Sequence, residues 1–260
     1  MSERASSPEL RAIDPRTPSC VASFGGFTLI ELLVSVALIA LLAGLLLPSL
    51  IKSSQLADST RCLSHLRQVG LASQLYWDDH GGRAFTERSN RTNNGWTYWF
   101  GWLADGSEGL RKFDPSPSPL WPYLQNQKIG ICPALNRSAT DFKSKAQGAA
   151  YGFGYNLLVG TRGESGIRIS TLQAPSDLVV FADCAQINDF QLPATPDKPL
   201  LEEFYYFDLT TPTIHFRHRE KAQCWFADGH LAGEIPRSNS LDTRLPLHIL
   251  GLLQENQIRP

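Results

Sequence analysis

The chain carries almost no net charge: 24 Lys and Arg stand against 25 Asp and Glu across 260 residues, a formal charge of −1. No Lys/Arg run marks a basic arm, so a broad electrostatic claim on nucleic acid is set aside. Cysteine is sparse and scattered, at positions 20, 62, 132, 184 and 224. No CxxC pair occurs, and none of the close spacing that tetrahedral zinc sites usually show. The common catalytic signatures are missing as well. Without G-x-S-x-G, H-E-x-x-H or G-x-x-x-x-G-K-[ST], hydrolase and nucleotide chemistry lack their usual geometry. We expect no enzyme and no resident cofactor.

What the chain does have is a long apolar run, "GGFTLIELLVSVALIALLAGLLLPSL", residues 25 to 50. As a helix, Phe27 to Leu47 rises about 30 Å, the thickness of a bilayer's hydrocarbon core. The following "LLLPSLIKSSQLADS" offers no convincing small-residue cleavage site, so the segment reads as retained rather than as a removed secretory signal. Glu31 lies inside its first turn. A carboxylate there costs a few kcal/mol even on lenient insertion scales and calls for a partner, unless it is solvated near the interface. No Lys or Arg stands one turn away. A cut between Gly26 and Phe27 would create that partner, a positive α-amino group on the same helix end.

These residues resemble the type III signal of type IV prepilins and type II secretion pseudopilins, with Gly26, Phe27, Glu31 and the later Pro48 in their places. The resemblance implies that residues 1–26 are a leader, removed after Gly26 on the cytoplasmic face by a prepilin peptidase that also methylates the new Phe27 amino group. It implies a single-pass inner-membrane protein with a cytoplasmic N-terminus and a periplasmic head, later drawn into a filament. The implied partners are the peptidase/methyltransferase, other pilin or pseudopilin subunits, an inner-membrane assembly platform and membrane lipid. The leader holds three Arg against three acidic residues, so orientation rests on the resemblance rather than on the positive-inside rule.

The expected fold is α+β and pilin-like: a long N-terminal helix, transmembrane over 27–50 and amphipathic over 51–80, packed on a mainly antiparallel sheet. Pro48 predicts a kink or melted turn near Gly44 to Pro48. Beyond it, Leu56, Leu63, Leu66, Val69 or Gly70, and Ser73 to Tyr76 fall near helical spacing. Residues 81–150 read as an aromatic and Pro-rich loop region. In it, "GWTYWFGW" gathers Trp96, Tyr98, Trp99, Phe100 and Trp102, either core packing under a long loop or a flat platform for sugar or peptide. Residues 151–260 read as the β-rich part of the head, with strands in "YGFGYNLLVG", "DLVVFADCA" and "KAQCWFADGHLAGEI".

The last of these continues a second pattern. His218, nine intervening residues, then Asp228-Gly229 resembles the H-x9-DG signature of prepilin-type proteins whose globular domain has no assigned function. "WPYLQNQKIGICP", "YGFGYN" and "ISTLQAPSDLVVFADC" agree with it in order. Asp228-Gly229 is first of all a hairpin turn, expected as type I′, with His218 at the far end of the preceding strand. The sharper alternative is a divalent metal ion held by His218, Asp228 and His230, with His215 and Asp183 as further candidates, a donor set better suited to zinc or copper than to calcium. A Cys224–His218 nucleophile pair lacks an orienting third group. Four cysteines remain after leader removal. The pairings considered are Cys62–Cys132 and Cys184–Cys224, against buried free thiols.

Two functions follow. One is a structural subunit of a type II secretion pseudopilus or type IV pilus-like filament. The other is a membrane-anchored periplasmic module that binds a ligand or metal and uses the prepilin signal for sorting only.

Overall fold

The computed structural model describes residues 26–125, 129–147, 152–161 and 166–260. Its contacts divide the chain into two compact units, Met1–Ser49 and Leu50–Pro260. Helix α1, Leu29–Asp79, supplies most of the described residues of the first unit and continues into the second.

In the first unit the helical residues are apolar and solvent-facing, with Leu29 80% and Leu45 71% exposed. It is long and apolar enough to cross a membrane. The stretch from Gly44 to Pro48 is helical without a break, so the turn there is not melted. Pro48 removes one hydrogen bond, to the carbonyl of Gly44, and the bonds of the flanking turns carry the helix across that single gap.

In the second unit α1 becomes one-sided. Cys62, Leu66, Val69, Gly70, Ser73 and Trp77 are buried at three- and four-residue steps, the face a 3.6-residue period presents. Leu56, expected on this face, is 62% exposed, as are about half of Leu71 and Leu75.

Among the described residues, fourteen short strands follow: β1 Arg88–Thr92, β2 Gly95–Tyr98, β3 Gly101–Ala104, β4 Phe113–Asp114, β5 Phe142–Lys143, β6 Phe153–Asn156, β7 Val179–Asp183, β8 Ala185–Asn188, β9 Leu200–Glu203, β10 Tyr206–Phe207, β11 Ile214–His215, β12 Ala222–Phe226, β13 Leu231–Glu234 and β14 Leu250–Gly251. The central sheet runs β10-β6-β7-β12-β13, antiparallel except for the β10/β6 pair. Beside it lie a β5-β9-β8 sheet and a β11-β14 ladder. The fold is α+β, one long helix with mainly antiparallel sheets.

The stretch read as loop contains a four-stranded antiparallel meander, β1-β2-β3-β4. Alternation in "GWTYWFGW" is disguised because almost every residue is aromatic or glycine. Trp99 and Phe100 are fully buried beside Phe181 and Tyr205, and the Trp99 indole N–H donates to the Tyr205 carbonyl at 2.8 Å. The two side chains at the centre of the aromatic run therefore pack in the core, where each removes a large apolar area from water.

Two devices set the core's geometry. Gly70 lets the Trp225 indole lie directly against the helix: a Cβ built at Gly70 would sit 2.3 Å from that ring. Asn156, fully buried at the end of β6, donates to the carbonyls of Val179 (2.8 Å) and Ile258 (2.9 Å) and accepts from the Leu158 N–H (2.9 Å). It thereby ties the C-terminal segment to the central sheet.

Candidate functional site

Processing would act on the start of the first unit. Gly26 and Phe27 are exposed and precede the helix, so the peptide bond between them is non-helical and open to approach. Thr28 is the N-cap. Its carbonyl accepts from the Leu32 N–H at 3.2 Å, and its hydroxyl oxygen accepts from the Glu31 N–H at 3.3 Å. Glu31 returns the bond, accepting from the Thr28 N–H at 2.9 Å and from the Thr28 hydroxyl at 2.6 Å. This is a capping box, which satisfies two of the donors that a helix start leaves open. Glu31 thus has a local partner before any cut is made. The T-x-x-E spacing ahead of an apolar run is the sequence signal for this partner, which a counter-charge alone does not reveal.

A second site lies inside the second unit. Cys62 on α1, Cys132 in the loop before β5, Asp183 at the end of β7 and His218 between β11 and β12 are all buried, and one ligating atom from each lies within 4.8 Å of all the others. The Cys62 thiol donates to Asp183 Oδ1 at 3.2 Å. Cys132 Sγ lies 3.2 Å from His218 Nε2, which is 3.3 Å from Asp183 Oδ2. Arg217 supports the group, its guanidinium donating to Asp183 Oδ1 and to the Gly152 carbonyl, each at 2.5 Å. The Gln223 N–H donates to Asp183 Oδ2 at 2.8 Å.

His218 reaches the cluster from a tight turn. Its N–H and carbonyl exchange hydrogen bonds with Lys221, at 2.9 and 3.2 Å. The two residues between, Arg219 (φ +56°) and Glu220 (φ +62°), both occupy the left-handed region, the pattern of a type I′ hairpin.

The electrostatics of the cluster are those of a charge-balanced group. Burial, the hydrogen bond to Cys132 and the Asp183 charge push the Cys62 thiol up. The contact with Cys62 pulls Cys132 down, and Arg217 and His218 further favour its thiolate against burial. Burial opposes charge on His218, but its hydrogen bonds to Asp183 and Cys132 hold it up at about 9. Burial would also raise Asp183, but the Arg217 guanidinium, His218 and the Gln223 N–H together keep the carboxyl low. Thiolate, carboxylate, imidazolium and guanidinium then sum to zero beside the Cys62 thiol.

The hairpin behaves differently from expectation. The Gly229 N–H donates to the Phe226 carbonyl at 2.9 Å, closing a turn over Ala227 and Asp228, and Gly229 follows at φ +95°. That is the three-residue loop with a left-handed glycine rather than a two-residue type I′ turn. Asp228 Oδ1 faces His230 Nδ1 at 2.6 Å and accepts from its N–H at 3.1 Å. His218 does not join them. The five residues of β12 lie between, and strands advance about 3.3 Å per residue, beyond what one ion spans. The proposed His218, Asp228 and His230 ligand set is therefore not assembled; His218 instead meets Cys62, Cys132 and Asp183.

Neither disulfide considered is formed, although Cys62 and Cys132 are brought together in the cluster, their sulfur atoms within 4.8 Å. Cys62, Cys132, Cys184 and Cys224 are all free and buried. Cys184 donates to the carbonyls of Thr213 (2.9 Å) and Tyr206 (3.2 Å), and Cys224 to that of Ala222 at 3.7 Å. Cys184 and Cys224 thus each have backbone acceptors, while Cys62 and Cys132 face side chains of the cluster. Nor does Cys224 pair with His218, whose thiol neighbour is Cys132. His215 packs against His248 and lies 3.2 Å from Arg217, outside the four-residue group. Cys20 lies outside the described residues.

Residues 22–47 match the family described as the prokaryotic N-terminal methylation motif. No curated protein and no solved structure matches the chain. The matched stretch contains Gly26, Phe27 and Glu31 and supports a type IV pilin-like protein, with an apolar N-terminal helix consistent with membrane anchoring.

Proposed function

We propose that the chain is a prepilin-like structural subunit, cut after Gly26, methylated on Phe27 and assembled through its apolar helix into a type II secretion pseudopilus or type IV pilus-like filament. The observation that carries this reading is the matched methylation motif, in which an exposed, non-helical Gly26–Phe27 bond directly precedes the capped helix.

The chemistry is economical. Before cleavage the capping box satisfies Glu31 internally. After cleavage the Phe27 amino group places a positive charge near Glu31, on its own helix or on a neighbour's. In a low-dielectric bundle of helices an unpaired carboxylate is costly, so pairing with a neighbour's amino group favours association in register. The H-x9-DG pattern belongs to the head and has no part in cleavage. The head faces the periplasm in this reading, and the subunit works by assembly rather than by turnover.

Co-expression with a prepilin peptidase tests it. Intact-mass and N-terminal analysis should find a mature chain beginning with N-methyl-Phe27, and Gly26→Ala should leave the leader attached. A wild-type chain that keeps its leader beside an active peptidase would refute the proposal.

A further inference from the structure

We propose that Cys62, Cys132, Asp183 and His218 form a structural zinc site that joins helix α1 to the loop before β5, the central sheet and the β11–β12 turn.

Geometry is the first support. Zinc holds thiolate sulfur at about 2.3 Å and imidazole nitrogen or carboxylate oxygen at about 2.0–2.2 Å, so a tetrahedron of such ligands has edges of about 3.3–3.8 Å. The separations present are 3.2 Å from Cys62 Sγ to Asp183 Oδ1, 3.2 Å from Cys132 Sγ to His218 Nε2, and 3.3 Å from His218 Nε2 to Asp183 Oδ2. No pair of the four ligating atoms exceeds 4.8 Å. An ion at the centre needs only small side-chain adjustments.

Chemistry is the second. Two thiolates and an imidazole select zinc over calcium or magnesium, which take oxygen cages. With a carboxylate in the fourth position no coordination site is left for water, the pattern of structural rather than catalytic zinc. Charge agrees: two thiolates and one carboxylate against a divalent ion leave −1, which the Arg217 guanidinium on Asp183 cancels. Arg217 and the Gln223 N–H also fix the carboxylate from behind, as partners of metal ligands commonly do.

Access is the third. A cavity of about 160 Å³, lined by Leu56, Ser59, Ala134, Arg217 and His218 among others, opens beside the cluster and gives the ion a path inward. The left-handed Arg219-Glu220 turn holds His218 at the inner end of that path.

The full chain, purified in detergent under reducing conditions without chelator, provides the test. Elemental analysis should find one zinc per chain. Replacement by Co²⁺ should give thiolate-to-cobalt charge transfer and the intense visible bands of a tetrahedral site. In competition with a chromophoric chelator, Cys62→Ser, Cys132→Ser and His218→Ala should each weaken zinc binding by more than the roughly 100-fold that loss of a supporting partner can cost. Asp228→Ala and His230→Ala should leave it unchanged. Because the ligand variants can lose the fold, the wild-type cobalt spectrum decides independently. Reduced wild-type protein that takes up neither metal, or binds cobalt without thiolate charge transfer, would overturn the proposal. So would recovery of Cys62 joined to Cys132 as a disulfide that binds no zinc after reduction.

Discussion

Gly70 and Trp225 meet face to face, the glycine leaving a gap on α1 that the indole fills. A side chain at Gly70 would begin 2.3 Å from the ring, far inside contact distance. Helix propensity alone favours Gly70→Ala by about 1 kcal/mol, yet the methyl must displace a buried Trp that also contacts Trp77 and Phe181. Overpacking of this kind costs about 1–3 kcal/mol, so the net effect should be destabilising. A lower denaturation midpoint of Gly70→Ala in the full chain checks this, and a rise would place Trp225 elsewhere.

Glu31 has two separable roles, capping and charge. Glu31→Gln keeps an oxygen for the Thr28 N–H and removes the charge, whereas Glu31→Ala removes both. If pairing with the Phe27 amino group drives association, both variants should be cleaved normally and both should fail to enter filaments. Normal incorporation of Glu31→Gln with failure of Glu31→Ala would assign the role to the capping box instead. Pull-down of tagged wild-type filaments, followed by quantitation of the co-assembled variant, separates the cases.

Glu203 makes stability depend on pH. It is fully buried in β9, and burial pushes its carboxyl up to about 7 against the partial relief of Arg137 and Lys145. An unfolded glutamate titrates near 4.5. The fold therefore binds a proton that the unfolded chain has lost between these values. Stability should fall as pH rises from about 4.5 to 7, by on the order of 3 kcal/mol, and level off above. Burial acts on neighbouring Glu202 too, but its hydrogen bond with Glu108 and the Lys145 ammonium hold it low, so it stays ionised across this window. The difference between wild type and Glu203→Gln in denaturant titrations at several pH values isolates the effect. Parallel curves for the two proteins would refute it.

The Arg219-Glu220 turn stores strain. Both residues are exposed and both have positive φ, a conformation that Asn and Gly adopt at lower cost. Replacing the pair by Asn-Gly should raise stability by about 1–2 kcal/mol while keeping His218 in place. Thermal unfolding measures the gain, and loss of stability would show that the two side chains contribute contacts of their own.

Much of the architecture was legible in the residues. The apolar run is long enough to span a bilayer, the α1 spacing places Leu66 and Val69 on one face, and "DLVVFADCA" and "KAQCWFADGHLAGEI" contain strands where β-branched and aromatic residues cluster. The meander in residues 88–114 was not legible, because an alternation of faces cannot be seen where both faces are aromatic. Leu56 was misplaced for a related reason. Helical spacing gives the period of a stripe, while its end depends on where the head stops covering the helix.

The local signals, then, were set by the sequence alone: a Gly26–Phe27 junction, a T-x-x-E cap at Thr28 and Glu31, an apolar helix and a set of β-prone segments. Each depends on residues within a few positions of one another, so chain connectivity guarantees it. The buried cluster was decided by tertiary structure. Cys62 and Asp183 are 121 positions apart, and Cys132 and His218 are 86 apart. No spacing rule relates them, and they meet because α1 packs its Cys62–Trp77 face on a sheet that brings the end of β7 and the turn before β12 to the same place.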